Sequence, residues 1–591
     1  MLGIYKRMMA YAPERRWGAW AAGLLSALSA LLTAWAYWLV ADFLRGAIVD
    51  GNLRGAASVA AAILALLIAG QIVYLLSGFF SHLLGFRLET NLRKKGIEGL
   101  TSAGARFFDQ RASGYARKTI DDNAAKTHMA VAHLIPDWAH ATVLPALAVA
   151  VGFHAGMATG LAVLAWAVFA AVNIPRMMGN GEFMKLYTKA LEDLASETVE
   201  YVRNIQVIKI FGLTLNSVKA LRKAIDGYSQ AAFAYTNSCK TPYSLHQWAF
   251  MGSGAILAIF AAAWASGAWG LAKPLGAEAR ADLAVQLAMA FFLISALFVS
   301  VMKIMWFSMY LFNAKDAVDK LESLYGDMKA ARPPRGNEGK IDGNGIEFDN
   351  VTFSYGRRKV LDGLSFKLEP GKTYALVGPS GGGKTTIAKL IAGFLAPDSG
   401  AVKIGGKSLT DLSESAVAQS VSFVFQNPKL FKGSILDNVL AAKKGASREE
   451  ALNALKAAGC GPILDKFEQR EEAVIGSQGV WLSLGEIQRI AVARAALKDA
   501  PIVVLDEATA SIDADNEHEM QKALSKLMAG KTSVIVAHRL SAIRGVDEIL
   551  VVKDGAIAQR GSDAELSRLG GEYAEAQRLY QEANEWRMSH V

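Results

Sequence analysis

Apolar residues in this chain gather into long runs up to about Phe312 and then give way to short alternations. Six runs, at approximately 17–44, 56–84, 130–153, 157–178, 243–271 and 283–312, are long enough to be membrane helices. A spanning helix needs roughly 20 mostly apolar residues to cross about 30 Å of hydrocarbon. The first run follows Lys6, Arg7, Arg15 and Arg16 and exceeds the apolar core of a cleaved signal, so it is read as the first span. Short connectors follow the first, third and fifth runs, and long segments follow the second and fourth. The long segments carry the cations, Arg87 to Lys118 in one and Lys185 to Lys223 in the other. By the positive-inside rule the long loops and both termini are cytoplasmic. Stretches such as Glu192 to Phe211 lack Pro and Gly and repeat apolar residues at helical spacing, so the spans are expected to continue as helices beyond the membrane.

Past the sixth run, Ala331 to Gly345 is rich in Pro, Gly and charge and reads as a linker. From Ile346 on, β-rich runs (Thr373 to Val377, Val421 to Phe425, Ile502 to Leu505, Ser533 to Val536) alternate with helical segments, as in an α/β domain. The expected organisation is an all-α six-helix transmembrane domain over 1–330, a linker over 331–345 and an α/β domain over 346–591. Composition agrees, with 52% apolar and 20% charged residues. The net charge of +9 sits in the loops between apolar runs, which excludes nucleic acid as its explanation. Cys239 and Cys460, the two cysteines, lie in different halves without metal-ligand spacing, which argues against a disulfide framework or zinc site.

Chemistry concentrates in the second half. Gly378-Pro-Ser380-Gly381-Gly382-Gly383-Lys384-Thr385, followed by Thr386, lies between a strand and an apolar helical run, as a phosphate-binding loop does. Glycines let backbone N–H groups approach phosphates, Lys384 reaches the terminal ones, and the Thr385 hydroxyl can ligate Mg2+. The helix that starts there adds the positive end of its dipole. A second strand delivers Asp506 and Glu507 side by side. Asp506 is placed to hold Mg2+ through water and Glu507 to polarise an attacking water, since phosphoryl transfer asks a protein mainly for positioning and charge compensation. P-loop NTPase chemistry on ATP is therefore expected.

With these motifs in place, the second half resembles the nucleotide-binding domain of ATP-binding cassette (ABC) transporters. The resemblance implies that Tyr355 stacks on adenine, that Gln426 is the magnesium and coupling glutamine, that Asp513 lies in the loop crossing the dimer interface, and that His538 is the switch histidine at the terminal phosphate. It also implies a signature motif, Leu-Ser-Gly-Gly-Gln in the family and Leu482-Ser483-Leu484-Gly485-Glu486 here, which offers Ser483 and a helix N-terminus to ATP held by the opposite cassette. Leu484 departs from the family's glycine and is expected to cost about 1 kcal/mol if the position needs a glycine conformation. Ser477 in Ile475-Gly-Ser-Gln-Gly479 replaces the usual acidic residue. An intact Glu507 and His538 beside an altered signature favours pairing with a different half-transporter, giving one competent and one impaired site; a homodimer that tolerates Leu484 is the alternative.

Six helices before one cassette resemble the exporter-type (type IV) fold of that family, a group that includes siderophore importers. Glu200 to Gly212 and His133 to Asp137 are similar to the importer group, which points to uptake of a small molecule such as a ferric siderophore across the inner membrane of a bacterium. Lipid or amphipathic drug export by a homodimer, and an ATP-gated regulator that does not pump, are the competing expectations. The fold implies short transverse helices touching the cassettes, expected around Gln110 to Thr119 and Gly212 to Lys219. Polar residues inside the apolar runs mark a substrate path: Gln71, His140, His246 and Lys303. A mid-membrane lysine costs about 2.5–3.5 kcal/mol on insertion scales, so Lys303 is expected either to face the bundle interior, where an anionic ligand or a lipid headgroup could pair with it, or to snorkel to an interface or bond a helix backbone.

Overall fold

The computed structural model describes every residue except 1, 112, 178–180, 213–217, 267–274, 477–480, 507–513, 538–542, 544 and 590–591. The chain divides into two compact units, one formed by Met1–Thr101 and Ser113–Gly326, the other by Ser102–Ala112 and Asp327–Val591.

In the first unit, five helices among the described residues are long and apolar enough to cross a membrane: Pro13–Ile48, Ala56–Ser102, Gly114–Ala155, Met157–Met177 and Ala277–Ala330. A sixth span is present if the bent pair Lys219–Gly254 and Ile256–Ser266, which meet at 41°, is taken as one. The expected span at 243–271 is thus a broken helix, and its last residues fall outside the described ones. At 1.5 Å per residue, the Ala56–Ser102 helix of 47 residues is about 70 Å long, more than twice the hydrocarbon thickness. The extension of the spans beyond the membrane, expected from the loops, is therefore present.

Apolar side chains gain nothing by leaving lipid for one another, so membrane helices associate through small residues and hydroxyl bonds. The Trp17–Ile48 helix buries Gly18, Ala22, Ser26, Ser29, Ala30 and Ala34 while Trp20 and Leu24 stay exposed. Ser26 Oγ donates to Pro136 O at 2.6 Å, Ser77 Oγ to Ala22 O at 2.6 Å and Ser81 Oγ to Ala132 O at 2.6 Å, tying three helices together.

The second unit is built on a six-stranded sheet with the order Ala556–Gly561, Glu548–Lys553, Thr373–Val377, Thr532–Val536, Ile502–Asp506, Val421–Val424. Its central strands run parallel. Ile502–Asp506 and Thr532–Val536 are buried at every position, as expected of strands covered on both faces. A smaller antiparallel sheet contains Ile346–Tyr355 and Arg358–Leu368.

The Pro- and Gly-rich stretch 331–345, read as a linker, is hydrogen-bonded to the α/β domain at several points. Gly336 N–H donates to Leu412 O at 3.1 Å, Ser413 N–H to Glu338 O at 2.8 Å, and the Arg335 guanidinium to Leu409 O at 3.0 Å. A short helix forms at Ala105–Gln110, preceded by Gly104 and ended by extended backbone at Arg111, just before the 110–119 expected for the first transverse helix. It is carried by the second unit: Arg106 pairs with Asp398 at 3.5 Å and Asp109 with Lys389 at 3.2 Å. In the second long loop a short helix forms at Ile205–Ile210, while 213–217, within the expected 212–219, lie outside the described residues.

Candidate functional site

Parallel register brings the two chemical motifs to one sheet edge. Val536 stands opposite both Leu376 and Asp506, so the chain leaving Val377 and the carboxylate of Asp506 emerge one strand apart. Ligands of open α/β sheets bind at this carboxyl edge. The loop after Val377 is fixed by its glycines at a particular point: Gly378 has φ +133° and a Cβ there would stand 2.2 Å from Val552 O. Lys384 begins the Lys384–Ile391 helix, is 4% exposed, and donates to Gly378 O at 2.8 Å and Pro379 O at 2.9 Å. Its ammonium thus lies within the loop that would wrap a phosphate chain.

Thr385 Oγ1 donates to Asp506 Oδ1 at 3.2 Å. Hard oxygen donors so paired fit Mg2+, which keeps few protein ligands and completes its shell with water and substrate phosphate. Tyr355, Arg358, Ser380, Gly381, Gly383, Lys384, Thr385 and Thr386 line one cavity of about 450 Å³. Tyr355 and Arg358 face each other across the hairpin of the smaller sheet, turned by Gly356 at φ +60°. Gln426 does not line this cavity; it is exposed just past Val421–Val424, the strand beside Ile502–Asp506. Arg358 went unnoticed in the sequence because no motif marks it. Its signal is its place three positions after Tyr355, across a turn at Gly356. Glu507, Asp513 and His538 lie outside the described residues, as does Ser477.

The signature residues form a capped helix start. Ser483 is the N-cap of Leu484–Lys498: its Oγ accepts the Glu486 N–H at 3.3 Å and its own N–H donates to the Glu486 carboxylate at 2.7 Å. Gly485 occupies the first turn. Leu484 is helical at the first position and is absent from the non-glycine residues with positive φ, so the conformational cost expected of it does not arise. What remains is bulk, since the side chain is 38% exposed.

The first unit holds a separate cavity of about 350 Å³, lined by residues of four helices, among them Ser29, Thr33, Gln71, Tyr74, His140, Ser300 and Lys303. Lys303 Nζ is 2.9 Å from Asp137 Oδ1 and 3.0 Å from Tyr74 Oη, and Tyr74 donates to Asp137. The lysine thus has a carboxylate partner within the protein. His140 packs edge-on to Tyr74, with ring centroids 5.4 Å apart. Three of the four residues assigned to a substrate path come together here, and His246 does not. It is fully buried among Phe169, Phe250 and Phe298, and neither ring nitrogen has a hydrogen-bond partner among the described residues. Asp137 was overlooked in the sequence as the lysine's partner, although a carboxylate in an apolar run is itself a signal.

Comparison with known proteins agrees with both units. Residues 19–271 match the ABC transporter transmembrane region, and residues 361–510 match the ABC transporter cassette family. A mycobactin import ATP-binding/permease protein, IrtB, of Mycolicibacterium thermoresistibile is 45% identical over 241 residues, 41% of this chain and 42% of that protein. The ATP-dependent lipid A-core flippase of Desulfotalea psychrophila is 41% identical over 228 residues, 39% of this chain and 40% of the flippase. The chain is thus matched to less than half the length of these curated relatives. The structure of a bacterial Atm1-family ABC exporter with ATP bound superposes with a TM-score of 0.71 at 24% identity, covering 96% of this chain and 98% of that one, which is a likeness of fold. With a transmembrane region and a cassette joined in one polypeptide on that fold, the chain belongs to the ABC transporters.

Proposed function

We propose that this chain is one half of an ATP-hydrolysing pump that carries a solute across the cytoplasmic membrane, with its cassette on the cytoplasmic side. The observation that carries the reading is the meeting of Lys384, Thr385 and Asp506 at one sheet edge, in a chain that also spans a membrane. Lys384 and the loop N–H groups hold the ATP phosphates, Tyr355 stacks on the base, and Thr385, Asp506 and Gln426 would hold Mg2+, which offsets phosphate charge when bound. Glu507 orients the attacking water and His538 steadies the terminal phosphate. Ser483 and Gly485 meet the nucleotide of the other cassette, so two chains complete each site. Turnover by Glu507→Gln in the native assembly should fall by roughly 10²–10⁴-fold. An undiminished rate would refute the assignment.

For the cargo, we infer metal-siderophore uptake with a different half-transporter as partner. Supporting it are the loop wording of Glu200 to Gly212, the altered signature beside an intact glutamate, and similarity to a protein named for mycobactin import. Similarity to a lipid A-core flippase, at 41% identity over 228 residues, favours lipid export by a homodimer as the second reading. Deleting the chain should slow growth under iron limitation and abolish ATP-driven accumulation of iron chelate in vesicles. Indifference to iron, with lipid moved instead, decides for the second reading. Passive flow on a non-hydrolysable ATP analogue would mark a gate in place of a pump.

A further inference from the structure

Glu486 stands where a negative charge opposes the role just proposed for the signature. It lies in the first turn of the Leu484–Lys498 helix, whose N-terminus and Ser483 are the end offered to phosphate. A carboxylate there offsets the positive end of the helix dipole and repels a phosphate approaching it. Yet its side chain is only 9% exposed, and both oxygens are engaged. One accepts the Ser483 N–H at 2.7 Å and the other is ion-paired with Lys466. Lys466 comes from outside the helix, just beyond Gly461–Leu464, and its side chain is 58% exposed. Burial pushes the Glu486 carboxyl up, but the Lys466 ammonium and the Ser483 N–H outweigh it and hold the group below its ordinary value. Because Ser483 Oγ accepts the Glu486 N–H, its own proton remains free to be donated outward.

We propose that Lys466 is a positioning residue of the signature end: it neutralises Glu486, so that this carboxylate can cap and orient Ser483 without repelling the nucleotide of the facing cassette. A buried anion loses far more when its partner is removed than when both are replaced. A neutral glutamine at 486 would still accept the Ser483 N–H, because Glu and Gln serve equally as the third residue of a capping box. Lys466 is therefore needed only because 486 is charged, and that makes the two residues separable by the sign of their effects.

The inference rests on the reading that Ser483 meets ATP across the interface. Its test is ATPase kinetics of the full chain in its native assembly, with thermal melting in parallel. Lys466→Met should raise the KM for ATP roughly two- to tenfold, the scale of one partly screened charge. Lys466→Arg should restore it. Glu486→Gln should lower KM, and the double variant K466M/E486Q should return it to the wild-type value. A merely structural ion pair would instead reduce turnover and Tm alike in both single variants at constant KM, and that outcome overturns the proposal. Ser483→Ala separates the two levels. If it lowers turnover while Lys466→Met keeps a wild-type KM, only the role of Lys466 falls; if Ser483→Ala changes nothing, the composite-site reading falls with it.

Discussion

The nucleotide-loop cavity of the cassette and the Lys303 cavity of the membrane unit are similar in size, about 450 Å³ and about 350 Å³, but they are made of different material. The cassette cavity includes backbone held in positive-φ turns at Gly381 and Gly383, where only a residue without a side chain fits easily. The membrane cavity is shaped by side chains from four helices, centred on the Lys303, Asp137 and Tyr74 bonds. A backbone-made site should tolerate almost no change at its glycines. A side-chain-made site should answer to charge and to pairs.

The largest effect should therefore come from Gly378→Ala. Left-handed strain of about 1–3 kcal/mol adds to a collision with Val552 O, 2.2 Å from the new Cβ. Binding of a fluorescent ATP analogue should be lost. Gly381→Ala is the matched control. Its φ of +82° brings strain, but its nearest neighbour is the tip of Arg358 at 3.8 Å, so binding should weaken and survive. If both variants bind alike, the cleft owes less to backbone shape than this comparison holds.

Next in size is the membrane ion pair. Lys303→Met and Asp137→Asn each leave a charge without its partner. About 30% exposure of both side chains keeps the cost at about 1–3 kcal/mol, short of a fully buried pair. Each should lower Tm and solute movement while ATP-analogue binding to the cassette persists. K303M/D137N should lose less than the sum of the singles. Strict additivity would mean that the pair does not couple the helices.

This contrast also explains what the sequence made legible. The nucleotide site could be read because backbone shape demands particular residues in order: the glycines from Gly381 to Gly383, then Lys384 and Thr385, and a strand ending in Asp506. The long apolar runs likewise announced the spans, because lipid imposes a length. Side-chain geometry leaves no such trace. Nothing local to Lys303 tells that its partner is Asp137, 2.9 Å away and on another helix. His246 looked like Gln71 and His140, a polar residue in an apolar run, and only packing among three phenylalanines separates it from them. Whether Leu484 is strained was open in the sequence for a related reason. A family glycine can be there for space or for conformation, and only an observed helical backbone shows that conformation is not at issue.

Leu484 and His246 then sharpen the comparison at its small end. Leu484→Gly removes bulk without relieving strain, so ATP turnover should rise only roughly two- to fivefold, a change worth less than about 1 kcal/mol in barrier. A larger rise would return the argument to backbone conformation. His246→Phe should do least. Both ring nitrogens are buried without hydrogen-bond partners among the described residues, and replacing such a group by an apolar ring of similar shape can be neutral or stabilising. Tm should stay within about 1 kcal/mol-equivalent of the wild type or rise, and solute movement should persist. Were His246→Phe to stop transport while His140→Phe did not, the ligand path would run past the aromatic cluster, and the Lys303 cavity would be only a packing defect stabilised by its ion pair.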